Sequence, residues 1–281
     1  MSEMFSHSRL STFEQCPLKY KFKYIDKIPP VVEDTIESHL GKTIHASLEW
    51  LYNKIKEGFT PELQHLIDYY HDTWQANFKP TYVIVKRQFT EKDYFNTGLK
   101  FLIDYYIKHT PFDENTIETE KRIFLYLDAE KKYSIRGFID RLAYNKQSDE
   151  YEIHDYKTSN SLPSREKIEG DRQLSLYSLA IKSIYKHPKP VKQVWHYLAF
   201  NKSIEVKKSD EILEKLRGET LKLISEIQSS ALFPPIVSGL CHWCEFKPIC
   251  PAWSNNNLYI DPFKKEKNAN LNNYFEPEGF E

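Results

Sequence analysis

The sequence predicts an α/β protein in which a β-sheet is flanked by helices, with a helical N-terminal part and a cysteine-bearing C-terminal part. Three observations support this fold class. Apolar residues recur at helical spacing through most of residues 36–109. Segments rich in aromatic and β-branched residues, separated by polar turns, follow between 118 and 157. Beyond them, helical and strand-like segments alternate, which is typical of a sheet packed between helices.

Each element has a local signal. The predicted helices cover residues 36–56, 61–77, 91–109, 165–185 and 210–229. The predicted strands cover residues 118–127, 133–144, 150–157, 191–200 and 203–207. Near the N-terminus, Ser11-Thr12-Phe13-Glu14 matches a capping box and Pro17 soon interrupts it, so we expect a short helical turn before Cys16.

Composition indicates a folded globular chain. Of its 281 residues, 40% are hydrophobic and only 8 are glycine, while the net charge of −1 gives no evidence for nucleic acid. There is no secretory leader and no apolar run long enough to span a membrane, so a cytoplasmic location is expected. We expect a single domain over residues 1–254, with extra helices at about 57–110, and a loosely packed polar tail over 255–281.

A basic and aromatic run lies near the N-terminus. It consists of Lys19, Tyr20, Lys21, Phe22, Lys23, Tyr24 and Lys27. Such alternation suits a surface that contacts phosphates and stacks on bases. A solvated helix face with its aromatic residues packed inward explains the run equally well, and the sequence leaves both interpretations open.

Two neighbouring strands carry the strongest chemical signal. They read GFIDRL over residues 137–142 and IHDYKT over 153–158, with a polar turn between them. Strand alternation places Asp140 on the face shared by Phe138 and Leu142. A carboxylate on an apolar face is unfavourable unless a group of opposite charge binds it.

Symmetric pairing about the turn places Asp140 opposite Asp155, with Lys157 on the same face as Asp155. Two facing carboxylates are unfavourable unless a positive charge lies between them. A divalent cation bound by carboxylate oxygens, with an ammonium beside it, meets that requirement and supplies phosphodiester chemistry. The alternative is an ordinary ion pair between two surface strands.

His45 lies on the predicted helix over residues 36–56, beside Ile44 and Leu48. It is either a satisfied core residue or a metal ligand, and the helix alone does not decide between them. The neighbouring Gly41-Lys42-Thr43 matches the end of a phosphate-binding loop. That loop requires a glycine where this chain has Ile36, and no strand precedes it, so a nucleotide triphosphatase is excluded.

Gln173 and Tyr177 lie one helical turn apart in the predicted helix over residues 165–185. Tyr177 alone fits the apolar stripe of that helix. Gln173 is the polar exception, and its amide is able to reach a phosphate or a lysine.

The four cysteines are the second strong signal. They are Cys16, far upstream, and Cys241, Cys244 and Cys250 near the C-terminal end. A disulfide framework is unexpected in a reducing compartment. Four thiolates hold either Zn²⁺ or an iron–sulfur cluster, and their spacing alone does not separate the two. Cysteines without any ligand are the third possibility.

Together these segments resemble the RecB-type branch of the PD-(D/E)XK nuclease superfamily. The resemblance runs from about residue 8 to 253 and rests on the order of LSTFEQCPLKYKFKYI, GKTIHASLE, GFIDRL, DYKT, RQLSLY and the terminal cysteines. It implies a restriction-endonuclease-like mixed β-sheet core flanked by helices. It also implies the site residues: metal ligands His45, Asp140, Asp155 and the Tyr156 carbonyl, the catalytic Lys157, and the supporting Gln173 and Tyr177. Glu120 is a weaker candidate for a supporting acidic group.

In the cluster-bearing members of this branch, the positions of Cys16, Cys241, Cys244 and Cys250 bind a [4Fe–4S] cluster. The resemblance therefore implies a Mg²⁺- or Mn²⁺-dependent DNA nuclease, expected to be an exonuclease on single-stranded ends. The expected pathways are DNA repair and recombination, with a helicase partner, or CRISPR adaptation, with an integration partner. The competing interpretation is a non-catalytic DNA-binding adaptor subunit of the same fold.

Overall fold

The structure, a computed structural model, describes residues 2–31, 34–185 and 189–253. The predicted polar tail over 255–281 lies outside these residues. At the centre is a six-stranded sheet with the order β1-β3-β4-β5-β6, in which β2 pairs with the remaining side of β3. The strands are β1 (Glu3–Phe5), β2 (Thr116–Tyr126), β3 (Tyr133–Asn145), β4 (Glu150–Lys157), β5 (Val191–Tyr197) and β6 (Lys202–Lys207).

The sheet is mixed, as predicted. β1 pairs with β3 and β4 with β5 in parallel, and the remaining pairs are antiparallel. Parallel neighbours need a crossover connection, and here helices connect β4 to β5. The helices of the chain are α1 (His7–Gln15), α2 (Pro17–Tyr20), α3 (Ile36–Lys56), α4 (Leu63–Asn77), α5 (Glu91–His109), α6 (Arg165–Glu169), α7 (Arg172–Tyr185) and α8 (Asp210–Ser229).

Two apolar clusters hold the helices to the sheet. One joins the sheet to α1, α7 and α8, and includes Leu10, Leu176 and Ile224. The other joins α3, α4 and α5 to one another and to Tyr156 of β4. The sheet is therefore packed between helices, with the end of β4 close to α3. Within the described ranges, no helix is both apolar enough and long enough to cross a bilayer.

Several predicted elements need correction. The helix expected over 165–185 is two helices, because Gly170 ends α6 and the Asp171 carboxylate caps the start of α7 by accepting the Leu174 N–H at 2.8 Å. The strand expected over 191–200 ends at Tyr197 and continues as a 3₁₀ turn. The first helix begins one turn earlier than expected, because Ser6 rather than Ser11 is its N-cap.

The N-terminal basic and aromatic run is a packing segment. Tyr20 and Phe22 are buried at 1% and 5% exposure, and Phe22 packs edge-on against Phe246. Lys19 and Lys23 both pair with Glu245. Tyr20 and Phe22 therefore face inward, and two of the lysines, Lys19 and Lys23, bind the cysteine-bearing segment.

Candidate functional site

The candidate site lies where β2, β3 and β4 meet the middle of α3. Thr119 pairs with Arg141 and Lys121 with Ile139, so Glu120 and Asp140 occupy the position between these pairs. Glu120 has φ of 46°, a left-handed conformation that is costly for a residue with a side chain.

The regular alternation of β3 is interrupted at the same point. Ile139 and Leu142 are three positions apart, yet both belong to the apolar cluster that includes α7. The expected shared face of Phe138 and Leu142 is therefore wrong, since Phe138 is 53% exposed and Leu142 is fully buried. The irregularity at Glu120 and Asp140 separates the two faces that simple alternation would have merged.

One ligating atom from each of His45, Glu120 and Asp140 lies within 4.8 Å of the others. His45 Nδ1 is 3.4 Å from Asp140 Oδ2, and its Nε2 is 2.9 Å from the Tyr156 carbonyl oxygen. Burial alone would lower the pKa of His45. The hydrogen bond to Asp140 and the charges of Asp140 and Asp155 outweigh burial and raise this pKa to about 9.

Asp155 is the most deeply buried carboxylate of the group, at 4% exposure. Arg141 pairs with His154 across β3 and β4, which places Asp140 and Asp155 one residue further along their strands, as the symmetric hairpin predicts. Burial raises the pKa of Asp155 to about 6, although Lys157 acts to lower it. Its Oδ2 atom is buried and accepts no hydrogen bond within the described part of the chain.

Lys157 completes the charged group. Its Nζ lies 2.6 Å from Asp155 Oδ2, outside hydrogen-bond geometry, and 3.5 Å from Gln173 Oε1. Burial would lower the pKa of Lys157, but Asp155 and Asp140 raise it above its usual value. The lysine is therefore a cation at neutral pH, held between a buried carboxylate and the first turn of α7.

Tyr177 packs against β3 at Gly137, a residue whose role the sequence analysis missed. A Cβ at Gly137 would come within 2.6 Å of Tyr177 Cε1 and Cζ, closer than any real contact. Tyr177 is buried, and burial raises its pKa, so its hydroxyl stays protonated. The available signal was Gly137 itself, because a glycine inside a predicted strand indicates that another group packs closely against the backbone there.

His7, on the first turn of α1, is a second residue that the sequence analysis missed. Its Nε2 lies 3.1 Å from Ser11 Oγ, and its Nδ1 is buried without a hydrogen-bond partner among the described residues. Burial, together with the nearby cations Arg172 and Lys157, lowers its pKa to about 4 against the opposing effect of Asp171. A neutral imidazole thus lies near the lysine side of the site.

The donor set fits a hard divalent cation. Carboxylate and carbonyl oxygens with one imidazole are ligands that Mg²⁺ and especially Mn²⁺ accept. His45 Nε2 and the Tyr156 carbonyl oxygen are hydrogen-bonded at 2.9 Å, so these two possible ligands already lie side by side. Asp155 Oδ2, which lies 2.6 Å from the Lys157 ammonium, would be a further oxygen ligand.

The four cysteines meet at a separate place, where the end of α1 contacts the C-terminal segment. All four are free thiols and line one cavity of about 40 Å³. Backbone N–H groups donate to two of the sulfurs, Ile236 to Cys16 at 3.5 Å and Ser238 to Cys241 at 3.4 Å. Among the described residues, no three cysteine sulfurs lie within 4.8 Å of one another.

Comparison with known proteins identifies a family for the chain. The model of the PD-(D/E)XK nuclease superfamily matches residues 4–251. Among solved structures, the crystal structure of SSO0001 is similar at 14% sequence identity and a TM-score of 0.40, over 90% of this chain and 88% of that one. No curated protein matches the chain.

Proposed function

The chain belongs to the PD-(D/E)XK nuclease superfamily of metal-dependent nucleases that act on DNA, and we propose that it is a Mg²⁺- or Mn²⁺-dependent exonuclease of the RecB-type branch that degrades DNA from single-stranded ends. The observation that carries this proposal is the convergence of His45, Glu120 and Asp140 beside the Asp155–Lys157 pair. An adaptor subunit would need none of these charges to be held together in a partly buried position.

In this proposal, Asp140, Asp155, His45 and the Tyr156 carbonyl hold the cation, and Glu120 is a fifth donor. When bound there, a divalent cation would supply a Lewis acid for a phosphate oxygen and lower the pKa of water. The protein holds its donors in place before the cation binds, because Asp140 Oδ2 already accepts the Tyr156 N–H at 2.8 Å. Little reorganisation is then needed when substrate arrives.

Lys157 stabilises the negative charge that develops on the phosphate during hydrolysis. Gln173, at 3.5 Å, keeps the lysine side chain extended from β4 towards α7. Tyr177 supports the site by packing on Gly137 and so holding α7 close to the strand that carries Asp140.

We propose that the four cysteines bind a [4Fe–4S] cluster that joins the N- and C-terminal parts of a domain spanning residues 1–254. Backbone N–H groups already donate hydrogen bonds to the sulfurs of Cys16 and Cys241, and hydrogen bonds to sulfur are among the features that tune iron–sulfur clusters. Cys16 and Ile236, which are in contact, are 220 positions apart, so a ligand shared across this gap closes a very long loop.

The choice between cluster and zinc has a direct test. Protein purified without oxygen should be brown and contain about four iron and four acid-labile sulfide atoms per chain. Cys16→Ser should make the cluster labile and lower the melting temperature. Colourless protein with one zinc per chain would contradict the cluster. An unchanged melting temperature of the variant would contradict the proposal that the cluster joins the N- and C-terminal parts.

The cellular role follows from the resemblance alone. We propose that the protein acts in the cytoplasm, in DNA repair and recombination with a helicase or in CRISPR adaptation with an integration complex. Either partner would deliver the single-stranded ends that the nuclease trims.

The experiment that tests the function uses end-labelled single- and double-stranded DNA, with and without Mn²⁺. We expect metal-dependent shortening of single strands, and loss of cleavage in Asp140→Asn and Asp155→Asn, because both substitutions remove a ligand charge while keeping side-chain shape. Asp72→Asn is the matched control, since that side chain is 82% exposed. DNA binding without cleavage by the wild type would favour the adaptor.

A further inference from the structure

One face of the β2–β3 hairpin is exposed to solvent over residues 122–138 and carries an unusual set of side chains. Their shared feature is exposure on strand positions opposite the buried Ile123, Leu125, Ile135 and Ile139. We call this surface the hairpin face, and it comprises Arg122, Phe124, Tyr126, Arg136 and Phe138.

Arginine and phenylalanine alternate across the two strands of the hairpin face. Arg122 is paired with Phe138, and Phe124 with Arg136. Side chains of directly paired residues point to the same side of a sheet and lie about 5 Å apart at Cβ. Each guanidinium therefore has a phenyl ring across the strand, and Phe124 is also edge-on to Tyr126 at 4.8 Å.

The three aromatic rings are open to solvent. Phe138, Phe124 and Tyr126 are 53%, 40% and 38% exposed. The next turn adds another cation, because Lys131 Nζ lies 5.5 Å from the centre of the Tyr126 ring. Exposed aromatic rings grouped on one flat surface usually mark a binding site.

The two arginines of the hairpin face have no partners among the described residues. Neither Arg122 nor Arg136 has a side-chain hydrogen bond or ion pair with any described residue. In contrast, the arginines at positions 9, 141, 165, 172 and 217 each pair with a carboxylate. Two free guanidinium groups interleaved with open rings match a ligand that carries both phosphates and flat bases.

The hairpin face borders the candidate metal site. Phe138 precedes Asp140 by two positions on β3, and Arg122 follows Glu120 by two positions on β2. Two strand residues span about 6.6 Å, which is close to the length of one nucleotide step in an extended single strand. A chain lying on this face therefore continues directly to the carboxylates.

We propose that the hairpin face binds the unpaired nucleotides of a single-stranded nucleic acid, with bases stacked on Phe124 and Phe138 and phosphates bound by Arg122 and Arg136. This inference rests on the proposed function, because it concerns the substrate of that same site. Bases in a duplex are already stacked and do not offer their faces to protein rings, so the hairpin face selects single strands. It gives the preference for single-stranded ends a physical basis.

The test measures binding and chemistry separately. Fluorescence anisotropy with labelled 12-nucleotide single-stranded DNA, single-stranded RNA and blunt duplex DNA, without divalent cations, reports affinity. Hydrolysis of bis(p-nitrophenyl) phosphate with Mn²⁺ reports the chemistry at the metal site, because this diester has one phosphate and no flanking nucleotides that could lie along the hairpin face. The variants are Phe124→Ala with Phe138→Ala, and Arg122→Gln with Arg136→Gln.

Each double variant should bind single strands at least tenfold more weakly while hydrolysing the small diester within twofold of wild type. The arginine variant should also reduce the slope of log affinity against log salt by about 0.7 for each phosphate that it no longer binds. The control variants Phe59→Ala and Arg165→Gln should bind like wild type, since Phe59 is 52% exposed and the Arg165 side chain 91% exposed away from this face. Comparing the DNA and RNA arms shows which single strand is preferred.

Unchanged affinity in both double variants would overturn the inference. So would conversion of a dimer to a monomer by the phenylalanine variant with DNA affinity unchanged, which would make the face a contact between two copies of the chain. A wild type that binds single strands through this face but hydrolyses neither DNA nor the small diester would overturn the proposed function and leave the hairpin face standing.

Discussion

Asp140 and Tyr156 are linked twice, once directly and once through His45. Asp140 Oδ2 accepts the Tyr156 N–H at 2.8 Å. His45 lies between the same two residues, with Nδ1 3.4 Å from Asp140 Oδ2 and Nε2 2.9 Å from the Tyr156 oxygen. This closed arrangement ties α3 to β3 and β4, so the donors of the candidate metal site also hold three elements together.

His45 should release a proton when the metal binds. Its pKa is raised to about 9, chiefly by Asp140 against the opposing effect of burial, so the imidazole is protonated at pH 7.5. A metal ligand must be deprotonated, and Mn²⁺ affinity should therefore rise with pH up to about 9. Calorimetry at pH 7.5 in two buffers of different ionisation enthalpy should show about one proton released per Mn²⁺.

His45→Gln is the control for that measurement, and it should bind Mn²⁺ more weakly with almost no proton release. Equal release in wild type and variant would show that another group carries the proton.

Glu120 should lower the stability of the fold through its backbone conformation while its carboxylate strengthens metal binding. Its φ of 46° is strained for glutamate and relaxed for glycine, and burial together with Asp140 raises the pKa of its carboxyl. Glu120→Gly should therefore raise the free energy of unfolding by about 1 kcal/mol and weaken Mn²⁺ binding. Thermal melts and Mn²⁺ titrations measure the two effects.

Lys131→Gly provides the comparison for Glu120, because Lys131 also has positive φ, at 56°, but lies in the β2–β3 turn. It should gain stability with Mn²⁺ affinity unchanged. If Glu120→Gly behaves like Lys131→Gly, Glu120 is not a metal ligand.

Gly137→Ala should disturb the site through packing. The added methyl group would overlap Tyr177, and overpacking of this kind costs about 1–3 kcal/mol. The same change in a Tyr177→Ala background should cost much less, which a double-mutant cycle measures. Gly218→Ala is the matched control, since nothing lies within 4 Å of its Cβ position in α8, and it should stabilise the helix.

The sequence predicted the regular elements well because their signals are local. Helices α3, α5 and α8 and strand β4 begin and end where periodicity and capping residues place them. The register that places Asp140 and Asp155 directly beyond the Arg141–His154 pair was predictable, because the short turn between β3 and β4 determines it. The Asp171 cap is equally local, but it was hidden inside a continuous apolar pattern.

Long-range features were not predictable in the same way. The inward packing of Tyr20 and Phe22 depends on Phe233 and Phe246, each more than 200 positions away along the chain. The left-handed conformation of Glu120 could not be predicted, because nothing in the residue type indicates it. It lies opposite the point on β3 where the exposed Phe138 gives way to the buried Leu142. The need for glycine at position 137 could not be predicted, because it depends on Tyr177 of α7 packing against that position.

The most direct test of the central claim concerns Lys157, because it separates metal binding from hydrolysis. In Lys157→Ala, Mn²⁺ affinity should stay within about threefold of wild type, since the lysine is a cation and not a ligand. Single-turnover cleavage of single-stranded DNA with Mn²⁺ should fall by about 10²-fold or more, because the developing phosphate charge loses its ammonium partner. Cleavage at the wild-type rate would contradict the assignment of this group as the active site.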